Sequence, residues 1–312
     1  MTDNKISNRQ EICETLIELA KNDRDIIVLT SDSRGSAGLN PFVETFPEQH
    51  VEVGIAEQNL VGIAAGLARC GKKPIAAAPA SFLTMRSIEQ IKVDVAYSRC
   101  NVVLLGISGG LSYGALGMSH HSLQDIATLC AIPGISVILP ADRFESRAVF
   151  EDIMVNPRPV YVRVGRNPVP DVFACSADTS YVPGKATVIS EGDDACIIAT
   201  GEMVYAAKLT AEILKREGIG VRVLDMHTVK PLDTEAIRMA TNTPFILTME
   251  EHSCYGGLGS LVCRVVSEYR PTPVNVLAVP DEPAVTGVSA EVFAHYGLTA
   301  ENAANVIRER LN

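Results

Sequence analysis

Short apolar runs and stretches of helical period alternate along the chain. Ser7-Asn8-Arg9-Gln10 opens a predicted helix to about Lys21, with Ile12, Leu16 and Leu19 on one face. Asp25–Thr30, Lys73–Ala77, Asn101–Gly106, Ile135–Leu139 and Pro159–Val164 read as strands. Predicted helices over Ser81–Tyr97, Leu123–Cys130 and Arg143–Met154 separate them, with glycine-bearing loops at Ser31–Asn40 and Ser108–His121. Strands alternating with helices imply a parallel sheet covered on both faces. The rhythm stops at Asn167–Gly184, which carries three prolines and no periodicity and reads as a linker. It resumes with strands at Ala195–Thr200, Val221–Leu224, Pro244–Met249 and Val274–Leu277. The helices of this second run are expected at Met203–Glu217, Glu235–Ala240, Leu258–Val266 and Ala300–Leu311. The expectation is an α/β protein of two parallel-sheet domains, residues 1–166 and 185–312, joined by a linker at 167–184.

One stretch carries an unusual pattern. His50–Ile55 alternates like a short strand running into a turn. From Glu57 onward, apolar residues recur at helical spacing at Leu60, Ile63, Ala64 and Leu67, while Gly62, Ala65 and Gly66 keep the surface narrow. Such a helix suits close packing against a second backbone. Glu57 sits in its first turn, where a carboxylate complements the helix dipole. Its neighbours are too apolar for a solvated cap, however. A carboxyl buried among apolar groups has its neutral form favoured and can act as a proton donor.

The chain has 312 residues, enough for two domains that each bury a core. Hydrophobic residues at 47% and charged residues at 21% fit a globular protein, not a disordered one. A net charge of −10 with no basic cluster argues against nucleic acid as a partner. No apolar run reaches the length of a membrane span, and the polar start MTDNKISNRQ lacks a signal-peptide core, so a cytoplasmic protein is expected. Eight scattered cysteines without a C-x-x-C pair fit buried free thiols in a reducing compartment better than disulfides or zinc.

Val53-Gly54-Ile55-Ala56-Glu57-Gln58-Asn59 and the small-residue helix after it resemble the pyrimidine-binding domain of thiamine diphosphate enzymes, the transketolases and deoxyxylulose phosphate synthases above all. The strings D-M-H-T-V-K-P-L-D, E-E-H and G-G-L-G-S resemble the transketolase C-terminal domain, so the likeness spans essentially the whole chain. It implies that Glu57 hydrogen-bonds the cofactor's aminopyrimidine ring and promotes the imino tautomer that deprotonates the thiazolium carbon. The G-D-G signature of the diphosphate domain is missing; Gly192-Asp193-Asp194 reads as a turn. The chain therefore resembles the C-terminal section of a split transketolase. A separately encoded N-terminal subunit would carry the diphosphate domain and ligate Mg²⁺, and the two would assemble as a dimer of heterodimers.

The resemblance also places the remaining site residues. Asp32, after a strand end where ligands collect, matches an aspartate near the cofactor, and is otherwise an Asx-turn residue. Phe82 matches the aromatic region that packs on the pyrimidine ring, and is otherwise a core phenylalanine. Arg9, Ser36 and Arg166 match residues that hold sugar phosphate, for which the planar guanidinium is suited. His120 matches the histidine that handles substrate oxygens, and its pKa range suits proton transfer. Ser108, Leu116 and His121 depart from the histidine, aspartate and glutamine usual at their positions. Leu116 cannot accept a hydrogen bond from a sugar hydroxyl, so these changes alter the substrate wall and leave the cofactor machinery alone.

The expected reaction is transfer of a two-carbon ketol unit from a ketose, with a phosphate, to an aldehyde. Two rivals stand beside it. One is a 2-oxoacid-using carboligase or deoxyxylulose-phosphate-synthase-like subunit, the other a non-catalytic subunit that only binds its partner. Asp225, His227, Glu250, Glu251 and His252 lack metal-ligand spacing and are expected to serve structure and interfaces. Gly256-Gly257-Leu258-Gly259 reads as a helix start.

Overall fold

The computed structural model describes residues 6–311. Met1–Lys5, part of the polar start read above, lies outside them. Strand β1 (Ile26–Thr30) is buried along its whole length, as a central parallel strand must be. It pairs in parallel with β2 (His50–Glu52) and β3 (Lys73–Pro79). β4 (Val103–Ile107), β5 (Ser136–Ile138) and β6 (Val160–Arg163) extend the same sheet in parallel. Side chains alternate across β1: Ile26 and Val28 face Ile12 and Leu16 of the helix Asn8–Ala20, while Ile27 and Leu29 face Leu60, Val61 and Ala64 of the helix Glu57–Arg69.

The second half of the chain forms a sheet from β7 (Thr187–Ser190), β8 (Ala195–Ala199), β9 (Val221–Asp225), β11 (Ile246–Ser253) and β12 (Val274–Val279), in the order β12-β11-β8-β9-β7. It is parallel except at β7, which runs antiparallel along the β9 edge. Its two faces alternate in the same way: Ala195, Ile197 and Ala199 pack beneath the helix Met203–Lys215, and Cys196 and Ile198 beneath the helix Leu258–Tyr269.

Some elements depart from the sequence reading. β10 (Thr228–Lys230) follows β9 in the chain yet pairs antiparallel with β5, so the first sheet takes an edge strand from the second half. The predicted helix Ser81–Tyr97 is interrupted: Ala80–Arg86 ends at Ser87, and a π-helical turn covers Ile91–Tyr97. Such wide turns gather at functional sites. The predicted strand His50–Ile55 stops at Glu52, because Gly54 turns the backbone at φ 71. Asn40–Thr45 is a short helix, where Pro41 suits the first turn, starting at the end of the predicted loop Ser31–Asn40. All eight cysteines are free, but only Cys13, Cys100 and Cys196 are buried, while Cys70 and Cys175 are exposed. Among the described residues, no helix is long and apolar enough to cross a membrane.

Candidate active site

The carboxyl ends of the first sheet's strands converge on one edge, where parallel α/β sheets place their ligands. The Glu52 carboxylate ties two of the loops there. It accepts from the Thr30 hydroxyl at 2.7 Å, the Asp32 N–H at 2.7 Å and the Gly54 N–H at 2.8 Å. Burial works against its charge, but these donors win and hold its pKa below the usual carboxylate value. Asp32 is thereby held through its backbone in the left-handed region (φ 54) with its side chain exposed.

Gly54 leads directly into the helix Glu57–Arg69, so Glu57 stands buried at its N-terminus. The sequence suggests a carboxyl without a charged neighbour; the structure supplies one. Arg86 Nη1 donates to Glu57 Oε1 at 2.8 Å. The same guanidinium lies 4.0 Å from the centroid of Phe82, one helical turn earlier. A cavity of about 540 Å³ opens here, lined by Ile55, Ala56, Glu57, Gln58, Asn59 and Arg86.

From Phe82 the site continues through rings. Phe82 and His120 pack edge to face at 5.0 Å, and Tyr113 meets the same imidazole at 5.2 Å. Arg166 lies 5.2 Å from the Tyr113 ring. Next to it is Arg9, whose Nη1 donates to the Ser36 backbone carbonyl. Burial lowers the Arg9 pKa, and the like charge of Arg166 adds to this. Glu57, Arg86, Phe82, His120, Tyr113, Arg166, Arg9 and Ser36 thus form one continuous rank. It runs from a buried carboxylate, across aromatic faces, to two cations that repel each other.

His121 does not join this rank. It is buried beneath the loop, with Nε2 3.2 Å from the Gly114 carbonyl, and burial depresses its pKa, so it braces the loop as a neutral ring. Ser36 meets Arg9 through its backbone carbonyl.

The loop is fixed from below by the second half of the chain. Glu251 Oε1 accepts from the Leu111 N–H, and a side chain at Gly110 would put its Cβ 2.2 Å from the Glu251 carboxyl. At Gly117 a Cβ would fall 2.4 Å from Thr286. Arg163, fully enclosed, donates to the Glu251 carbonyl at 2.6 Å and lies 3.5 Å from Asp125, which in turn accepts from Tyr161 at 2.6 Å. Glu202 accepts from the Gly165 N–H at 2.9 Å and from Asn8 at 3.3 Å. Burial pushes Glu202 up to about 7 and Glu251 up to about 8, because one guanidinium cannot keep all these carboxyls ionised. Glu250 caps the helix at Leu258 and Gly259, accepting from each N–H at 2.7 Å, so the Gly256–Gly259 string is a helix start. These contacts give Glu250 and Glu251 the structural role expected of them.

The residues at the rank's deep end fit a flat, donor-bearing heterocycle. They combine a ring face at Phe82, a buried acceptor at Glu57 and adjoining open volume. Among the described residues, no three His, Cys, Asp or Glu side chains are grouped to hold a metal ion.

Residues 4–180 match the transketolase pyrimidine-binding domain and residues 184–303 the transketolase C-terminal domain. The chain belongs to the transketolase family, whose members depend on thiamine diphosphate. Within it, the chain is of the type encoded as a separate C-terminal subunit. It is 50% identical over 302 residues to a subunit of the apulose-4-phosphate transketolase of Phocaeicola vulgatus, with 96% of each chain covered. It is 36% identical over 308 residues to a subunit of the 6-deoxy-6-sulfo-D-fructose transketolase of a Clostridium species, covering 97% of this chain and 95% of the relative. A solved structure described as a split gene transketolase, inactive beta4 tetramer, superposes with a TM-score of 0.89 at 36% identity over 98% of both chains.

Proposed function

We propose that this chain is the C-terminal subunit of a two-chain transketolase that moves a two-carbon ketol unit from an anionic ketose to an aldehyde. The observation that carries the reading is the continuous rank from Glu57 to Arg9, which orders a cofactor end, a proton-transfer ring and an anion end along one edge. Thiamine diphosphate, when bound, supplies the nucleophilic carbon for cleavage beside the ketose carbonyl. Glu57 would hydrogen-bond the pyrimidine ring, Phe82 would offer its face to that ring, and Asp32 would border the cofactor from beyond the end of β1. His120, half-buried and 3.0 Å from the Ser119 hydroxyl, moves protons at the substrate oxygens. Arg166 and Arg9, with Ser36, take the anionic tail, which relieves the repulsion between the two guanidiniums. His121 supports the substrate wall from beneath.

The sugars named for the two relatives carry a phosphate and a sulfo group, which suits two facing arginines. Apulose-4-phosphate is the first donor to test, given the 50% identity of that relative. The Mg²⁺ and diphosphate ligands belong to a partner subunit in the cytoplasm, the whole forming a dimer of heterodimers. Gly62 and Gly66 support this, since a Cβ built at either meets nothing within 4 Å and the helix Glu57–Arg69 has room for a second backbone. The test is ketol transfer from ketose phosphates and from pyruvate, by the chain alone and with its diphosphate-domain subunit. Transfer from ketose phosphate only in the mixture, abolished by Glu57→Ala, is the expected result. Turnover of pyruvate alone would select the 2-oxoacid carboligase, and cofactor binding without any turnover the non-catalytic subunit.

A further inference from the structure

Arg86 makes two contacts at once, and both of its partners are residues assigned above to the cofactor's pyrimidine ring. Its guanidinium donates to Glu57 at 2.8 Å and lies 4.0 Å from the Phe82 centroid. A guanidinium is flat, carries N–H donors along its edge and stacks on aromatic faces. An aminopyrimidine is likewise flat and donor-bearing. The arginine therefore satisfies the carboxylate and the ring face with the kind of group the site is built to receive.

The two partners differ in exposure. The Glu57 side chain is 5% exposed, whereas Arg86 is 47% exposed and lines the open cavity. The carboxylate is a fixed, buried wall, and the arginine is the side that can swing out. Leaving Glu57 unpaired in that position would be costly, and Arg86 removes the cost. We propose that Arg86 is a self-ligand: it occupies the pyrimidine site of the unloaded chain, and cofactor binding displaces it from Glu57 and Phe82. This rests on the cofactor role proposed for Glu57.

Displacement makes cofactor affinity a competition. Removing the competitor should tighten binding about three- to tenfold, the combined size of a half-exposed ion pair and a guanidinium–ring contact. The experiment is calorimetric titration of thiamine diphosphate with Mg²⁺ into the assembled two-chain enzyme, comparing wild type with Arg86→Ala, Arg86→Gln and Glu57→Gln. Arg86→Gln removes the charge while nearly keeping the side-chain length, so it serves where the alanine variant folds poorly. Tighter binding in the Arg86 variants together with weaker binding in Glu57→Gln is expected. Equal or weaker binding in the Arg86 variants, with Glu57→Gln still weakened, would overturn the self-ligand and leave the function intact. Unchanged binding in Glu57→Gln would overturn the cofactor role of Glu57, and the self-ligand with it.

Discussion

Two clusters of charge meet at the glycine-rich loop, one on each side of it. Beneath it, Arg163, Asp125 and Glu251 are enclosed and Glu202 is half-buried, drawn from both halves of the chain and tied to the backbone at Leu111 and Gly165. On its open edge, Arg86, Arg166 and Arg9 touch ring faces, a carbonyl and, at one point, a carboxylate. Charge type alone does not separate the two. What separates them is how fully each group is satisfied within the chain. A buried ion with its hydrogen bonds complete is structural, and two neighbouring cations facing solvent leave room for a ligand.

Arg163 tests this contrast most sharply. Arg163→Ala leaves Asp125 and Glu251 buried without their cation and should cost about 3–5 kcal/mol of stability in urea unfolding. A loss below about 1 kcal/mol would mean that the buried cluster resembles the open one. The pH dependence is the next largest effect. Glu251 has a folded pKa of about 8, above its usual carboxylate value near 4.5, so the folded state holds a proton that the unfolded state has lost. Its contribution is complete below the unfolded value and is lost as pH rises through about 8. The Glu251 share of the unfolding free energy should therefore fall by about 4 kcal/mol between pH 5 and pH 9, and Glu251→Gln should remove that share of the slope while the share of Glu202 remains. The smallest effect belongs to the open rank. Arg166→Gln should raise KM for a ketose phosphate about tenfold, near 1.4 kcal/mol, with stability unchanged within about 0.5 kcal/mol. A lowered unfolding midpoint with KM unchanged would place Arg166 among the structural cations.

The sequence legibly marks what depends on local order. β1 and β8 are continuous apolar runs, and the helix Glu57–Arg69 shows its apolar period in the sequence. Arg86 carried a usable signal, since it stands four residues after Phe82 on one helix, the spacing at which side chains meet. Tyr113 had none, because a loop has no period to place its ring against His120 and Arg166. β10 and the anchors of Glu251 were hidden for another reason. Both depend on contacts between residues about a hundred positions apart, and three residues of strand are too few to show alternation. His121, which departs from the family pattern, is buried against the Gly114 carbonyl one position after the half-buried His120, a difference the loop sequence does not show.

The close approach at Gly110 and Gly117 has a consequence for how this protein changes over time. The loop's course is set where its bare backbone meets Glu251 and Thr286, while Leu116 and Met118 point into solvent at 52% and 54% exposure. The path is inherited from the scaffold and the lettering on it is free. A lineage can rewrite the outward residues one substitution at a time without refolding the wall that presents them.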